Sequence, residues 1–185
     1  MDKKKILFNI TEDWFFLSHF LSRALSAQKD GFEIYVCCNE TNKKKIIENY
    51  GINFIALPYR RPSINPFYEI YILIRLIFIV VKVKPDIVHN VALKPIIQGT
   101  FASWLLNIKS VVNAPVGMGY VFISKSLKAR VLKPILVFFL RIFLNPYKGK
   151  NKKGKVIFEN MDDLNYFKSL NAVDSSHACV ISGAG

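Results

Sequence analysis

Short apolar runs recur along the chain, each closing on polar residues with glycine or proline nearby. Ile6-Leu7-Phe8, Phe32 to Cys38, Phe54 to Leu57, Ile87-Val88, Val111-Val112, Lys155 to Glu159 and His177 to Ser182 predict seven strands. The first is uniformly apolar, as expected of a strand covered on both faces. Between the strands the period changes to that of a helix. Phe15, Phe16, His19, Phe20, Arg23, Ala24 and Ala27 share a first helix that Thr11 or Asp13 would cap and Gly31 would stop. Further helices are expected over Thr41 to Tyr50, Pro66 to Lys84, Ile96 to Leu106 and Phe122 to Leu144, and another starting at Asp162-Asp163, where acids suit the helix dipole. This alternation predicts an α/β fold: a single Rossmann-like, doubly wound, mostly parallel sheet of about seven strands with helices on both faces.

The stretch from Lys84 to Tyr120 organises the rest. Pro85 pushes Lys84 out of helical dihedrals and starts a strand, and His89 and Asn90 stand where that strand should emerge. Pro95 suits the first turn of the following helix, which carries Phe101, Trp104 and Leu105 at helical spacing. Ligands of open α/β sheets sit outside the carboxyl ends of the strands. Topology therefore sends His89, Asn90, Lys94, Asn113 and the Gly117-Met118-Gly119-Tyr120 turn to one place. Gly117 and Gly119 would let backbone N–H groups approach an oxygen-rich ligand; a simple tight turn is the plain alternative. His89 is either a hydrogen-bonding partner for a ligand or a satisfied strand-end histidine, and Asn113 reads as a turn former. His19 divides in the same way between a site role and packing against helix or sheet. Arg60 and Arg61, at the end of the third strand, are candidates for phosphate or for plain surface. The first loop, NITEDWFF, lacks the G-x-G-x-x-G that brings a pyrophosphate to a helix start, which disfavours a dinucleotide cofactor.

With 185 residues the chain is long enough for one well-buried domain and short for two. A net charge of +13 points to an anionic partner: membrane surface, phosphate-bearing substrate or nucleic acid. Cys37, Cys38 and Cys179 have no metal-ligand spacing and read as free thiols of a reducing compartment. The apolar part of MDKKKILFNI ends too soon for an export signal. Glu69, Arg75 and Lys82 interrupt the apolar run from Pro66 to Lys84, so it reads as a core helix or as one whose outer face dips into a bilayer interface, not as a membrane span. Between Tyr120 and Phe158 every charged residue is basic: Lys125, Lys128, Arg130, Lys133, Arg141, Lys148, Lys150, Lys152, Lys153 and Lys155. Such a basic amphipathic segment reads as a membrane-surface contact or as a basic loop beside a core helix. Nucleic acid is the weaker partner, because no strand signature, zinc spacing or helix-turn-helix accompanies the charge.

Three motifs in order, ILFNITEDWFFLSHF, VHNVALKP and VVNAPVGMGYVF, resemble the amino-terminal domain of retaining, GT-B fold glycosyltransferases of family 4, especially the bacterial capsule, O-antigen and lipid-linked glycan branch. The resemblance runs from about Lys5 to the last residue. It implies that residues 1–185 form the acceptor-side half of a two-domain enzyme, with the donor-binding carboxyl-terminal domain absent and the sequence stopping inside the Gly183-Ala184-Gly185 turn. No cofactor is then expected on this chain; a nucleotide-sugar donor would be held only together with a second domain, and sugar transfer by the chain alone is not expected. The acceptor wall implied by the family comprises Glu12, Asp13, His19, Asn90, Lys94, Asn113, Gly117 and Gly119, with His89 the candidate catalytic residue. Val91 stands where the family more often has a second histidine. Implied partners are an anionic membrane surface or lipid-linked acceptor and a separately encoded second half, at the inner face of the cytoplasmic membrane.

Overall fold

A computed structural model describes residues 3–61, 63–116, 122, 126–145 and 153–182. Gly117, Gly119, Lys125, Lys148, Lys150, Lys152 and the 183–185 turn lie outside the described residues, as does the side chain of Lys128.

Seven strands form one sheet: β1 (Lys5–Glu12), β2 (Glu33–Asn39), β3 (Asn53–Ala56), β4 (Ile87–Val91), β5 (Ser110–Ala114), β6 (Lys153–Phe158) and β7 (Ala178–Val180). Their order is β3-β2-β1-β4-β5-β6-β7, and every pairing is parallel. The chain moves outward from β1 in one direction, returns through β3 to β4, and then moves outward in the other. With right-handed crossovers, that reversal places helices on opposite faces. Adjacent strand residues face opposite sides, and the core divides accordingly. Ile6, Phe8, Ile34, Val36, Cys38 and Val91 lie in one cluster with Phe16, Phe20 and Ala24. Leu7 and Cys37 lie in another with Ile72, Leu76, Val80 and Ala102. Each Leu, Ile, Val or Phe side chain among them, fully buried, contributes about 1.5–3 kcal/mol.

The first face is covered by α1 (Asp13–Phe15), a π-helical turn (Phe16–Phe20), α2 (Leu21–Lys29) and α3 (Lys44–Asn49). The expected regular first helix is thus broken by a wide turn, a feature frequent at functional sites; Phe16 and Phe20, at its two ends, both reach Phe8, with ring centroids 5.7 and 6.5 Å away. Neither Thr11 nor Asp13 caps it. Glu12 occupies the N-cap without a side-chain bond, and Thr11 is buried inside β1.

The second face carries α4 (Pro66–Val83), α5 (Leu93–Leu105), α6 (Leu127–Phe143) and α7 (Met161–Ser169). Asn65 caps α4, its Oδ1 accepting from the N–H groups of Phe67 and Tyr68 at 3.0 and 3.4 Å, and Pro66 fills the first turn. Lys84 ends α4 in the left-handed region, φ 52°. Only Ile72, Leu76, Val80 and Val83 of α4 are buried, a stripe one side chain wide. In α7 the Asn160 Oδ1 accepts from Asp163 N–H at 2.7 Å and its amide donates to the Asp163 carboxylate at 3.2 Å. Asp163 is therefore part of a reciprocal cap.

Candidate functional site

The sheet's carboxyl edge gathers the ends of β1, β2, β4 and β5. Asp13, the first residue after β1, is fully buried. Its carboxylate accepts from the N–H groups of Trp14 (2.7 Å), Thr41 (2.6 Å) and Lys43 (3.0 Å) and from the Thr41 hydroxyl. Burial by itself would raise its pKa, yet these donors outweigh that and hold it below the usual carboxylate value. Asp13 thus ties the β2–α3 loop to the first helix. Glu12 accepts from the Asn39 amide at 3.0 Å, joining the ends of β1 and β2.

His89 and Asn90 lie inside the sheet, not in a loop beyond it, because β4 continues to Val91. As neighbours in a strand they face opposite sides, so they do not meet. The His89 ring stands 5.0 Å from Phe8 and edge-on to Phe20 at 5.6 Å. It is 8 % exposed and its Nε2 has no hydrogen-bond partner among the described residues. Burial first, and then the nearby Arg23 charge, push its pKa down to about 3. His89 is thereby held as a neutral imidazole at physiological pH. His19 lies on the same side of the sheet, in the π-helical turn. It stacks on Phe15 at 4.3 Å, with its Nδ1 2.6 Å from the Ser18 hydroxyl.

On the other face three asparagines from adjacent strands form a buried ladder. Asn9 Nδ2 donates to Asn90 Oδ1 (2.9 Å), and Asn90 Nδ2 donates to Asn113 Oδ1 (3.0 Å). Asn9 Nδ2 also reaches the Pro95 carbonyl, while Asn9 Oδ1 accepts from the Tyr59 hydroxyl at 2.9 Å. Asn113 Nδ2 donates to Thr100 Oγ1 and to the carbonyls of Phe143 and Leu144, each at 3.0 Å. Asn113 therefore lies within β5 and joins it to α5 and the end of α6; it forms no turn. Lys94, at the start of α5, points to the β3–α4 loop. Its Nζ donates to the carbonyls of Arg60 (2.8 Å) and Ser63 (2.5 Å) and pairs with Glu69 at 2.7 Å.

The exposed side chains of this edge were less legible. Trp14 is 43 % exposed and packs edge-on to Phe15, with the Arg61 guanidinium 5.8 Å from its ring. Arg60 lies 4.4 Å over Tyr68. Trp14 looked like an ordinary helix residue, and its departure from the apolar period of the first helix was the available signal. Asn9 and Tyr59 were also missed as participants; a lone polar residue inside the apolar run ILFNI pointed to the former.

The glycosyl transferase 4-like family matches this sequence over residues 5–144, three quarters of its length and all of this edge. The chain belongs to that family. Its fold is that of one half of a GT-B molecule, as solved structures bear out. A glycosyltransferase from Rickettsia africae is 19 % identical, with TM-score 0.62, over 98 % of this chain and 43 % of that one. MurG from Acinetobacter baumannii is 13 % identical, with TM-score 0.58, over 98 % and 46 %. A UDP-N-acetylglucosamine 2-epimerase from Rickettsia bellii is 9 % identical, with TM-score 0.64, over 99 % and 46 %. The chain thus spans less than half the length of these structures. No curated protein matches it in sequence.

Within this family member, the two sides of the edge offer different chemistry. The asparagine ladder is saturated and buried, which makes it a rigid support. Trp14 and Arg61 are exposed side chains of the edge, Glu12 and His19 are half-buried beside them in sequence, and the buried Nε2 of His89 has no partner among the described residues.

Proposed function

We propose that this chain is the acceptor-side half of a glycosyltransferase of cell-surface polysaccharide or lipid-linked glycan synthesis. The observation carrying the proposal is the family match over the residues that build the carboxyl edge. In this reading the donor is a nucleotide sugar whose diphosphate is held by a second domain, and the acceptor lies against Trp14, Glu12 and His19. An exposed indole suits the apolar face of a sugar ring, and Arg60 and Arg61 suit a phosphate of a lipid-linked acceptor. His89 stays neutral and packs against Phe8 and Phe20, beneath the first helix. Asp13, Asn90, Lys94 and Asn113 act through the backbone they fix: they set the first loop, the β4 and β5 ends and the β3–α4 loop, and so keep the contacting groups in place. Gly117 and Gly119 remain candidates for backbone contact. The chain works at the inner face of the cytoplasmic membrane.

The test is reconstitution. The chain is co-purified with a donor-binding half of a family member and supplied with labelled nucleotide sugars and a lipid extract. Turnover that needs both halves, and falls at least tenfold with Trp14→Ala, supports the reading. An acceptor-holding module without chemistry gives binding with no turnover in any combination and refutes it.

A further inference from the structure

Most of the large apolar side chains exposed among the described residues lie on one layer, formed by α4, α5 and α6. From α4, Phe67, Ile70, Ile74, Phe78 and Val81 point outward, Phe67 at 81 % and Phe78 at 69 % exposure. Their spacing of three and four residues places them on the face opposite the buried stripe Ile72, Leu76 and Val80. From α6, Leu127, Val131, Ile135, Phe138 and Ile142 do the same, Leu127 at 77 % and Phe138 at 60 %. Phe101 and Leu105 of α5 stand exposed between them, and Phe143 of α6 meets Phe101 and Trp104 at 6.1 and 5.0 Å. α5 packs against both α4 and α6, so the two apolar stripes flank it along helices of 18 and 17 residues. A contiguous exposed apolar surface of this kind marks an interaction site on a soluble protein.

The charges at this face have one sign. Arg75 and Lys82 flank the α4 stripe, and Arg130 and Arg141 flank that of α6; all four are exposed. Glu69, the acid of these three helices, is turned inward to Lys94 and to the Gln98 amide. A second copy of the chain would bring the same cations together without a compensating acid, which opposes self-association. A flat layer with an apolar centre and cationic edges matches a bilayer interface, where stems of Arg and Lys lie along apolar surface and their heads reach phosphate. No described helix is long and apolar enough to cross a membrane, so contact is from one side.

We propose that the outer face of α4, α5 and α6 docks on an anionic lipid surface, with its helices lying in the plane of the interface. An open apolar groove of about 300 Å³, lined by Ile64, Leu127, Val131 and Leu132, lies where this face meets the carboxyl edge of the sheet. Docking therefore sets the candidate site beside the head groups, within reach of a lipid-borne acceptor.

The test is vesicle flotation of the chain without sugar donors, so its outcome is read independently of sugar transfer. Vesicles of phosphatidylcholine with phosphatidylglycerol are compared with phosphatidylcholine alone, at low and high salt. The wild type is expected to float with the anionic vesicles and to lose binding as salt rises. The double variant Phe78→Glu/Phe138→Glu should bind at least tenfold more weakly, and each of Arg75→Gln and Arg141→Gln several-fold more weakly. Ile46→Glu, on α3 of the opposite layer, should bind as wild type. Circular dichroism and thermal midpoints verify that the variants are folded. Wild type that stays unbound, equal flotation of the double variant, or a lipid-free dimer dissolved by the same two substitutions would overturn the proposal; the last would assign the face to a second copy of the chain.

Discussion

Replacing Gly99 by alanine separates helix propensity from the packing of this sheet. Gly99 sits inside α5, where alanine is favoured over glycine by about 1 kcal/mol, so a reading of α5 in isolation predicts a more stable protein. The structure predicts the opposite. A Cβ on Gly99 would stand 1.7 Å from Asn90 Oδ1, 2.5 Å from Asn90 Cγ and 2.8 Å from Asn9 Nδ2. Neither side chain has room to yield, because Asn9, Asn90 and Asn113 are all fully buried and bonded in series. Either α5 lifts from the sheet, at roughly 1–3 kcal/mol for overpacking, or the Asn90 amide turns away. Turning it breaks two buried hydrogen bonds, at about 1–3 kcal/mol for each group left unpaired. With the amide turned, the expected loss after the propensity gain is about 1–5 kcal/mol, a sizeable part of the roughly 5–15 kcal/mol that holds a domain together. Urea and thermal unfolding measure it; at about 2–4 °C per kcal/mol for a chain of this size, the midpoint should fall by about 2–20 °C. Asn90→Ala in the Gly99→Ala background removes the obstructing amide, so the double variant should be less destabilised than the sum of the single changes. A Gly99→Ala protein as stable as wild type, or more so, would refute the close-approach argument.

The pH dependence carries two separable signatures. His89 has a folded pKa of about 3 against an ordinary 6.5; below pH 6.5 the unfolded chain takes up the proton and the folded one does not, so stability should fall as pH drops from 6.5 toward 3, and His89→Leu should flatten that slope in urea titrations. Asp13, whose pKa is depressed below 3.8, contributes above that value and loses its contribution as pH falls through the folded pKa. Asp13→Asn should therefore cost roughly 2 kcal/mol at pH 7, with the difference from wild type shrinking below pH 3.8. Cys37 and Cys38 are buried with their thiols' pKa values raised, chiefly by burial, whereas Cys179 is partly exposed. A thiol reagent should modify Cys179 alone in the native protein, with the other two reacting only in denaturant.

The sheet was legible because buried parallel strands need uninterrupted apolar residues, and Ile6-Leu7-Phe8, Ile87-Val88 and Val111-Val112 supply them. Asn113 reads as a turn former and Asn90 as the end of its strand because a polar residue next to an apolar pair resembles a strand end. What keeps them in strands is a partner on the neighbouring strand, and parallel register is not written in local sequence. Consecutive strand residues face opposite sides of the sheet, so once β4 extends through Asn90, His89 and Asn90 are divided between the two faces. The π-helical turn was hidden for a related reason. Phe15, Phe16, His19 and Phe20 fit a regular helix equally well, and the wide turn is seen only once Phe16 and Phe20 are packed on Phe8. The candidate site thus combines a support of which Asn90 and Asn113 could be named but Asn9 and Tyr59 could not with an exposed residue, Trp14, that looked unremarkable in sequence.

The central claim is that this chain carries the acceptor wall and leaves the donor to a second domain. Backbone amide resonances of the labelled chain, titrated separately with a nucleotide sugar and with a short lipid-linked saccharide, test it most directly. The account predicts saturable shifts at Glu12, Trp14, His19 and the loop of Arg60 with the saccharide, and none with the nucleotide sugar. Saturable binding of the nucleotide sugar at the carboxyl edge, with no response to the saccharide, would contradict it.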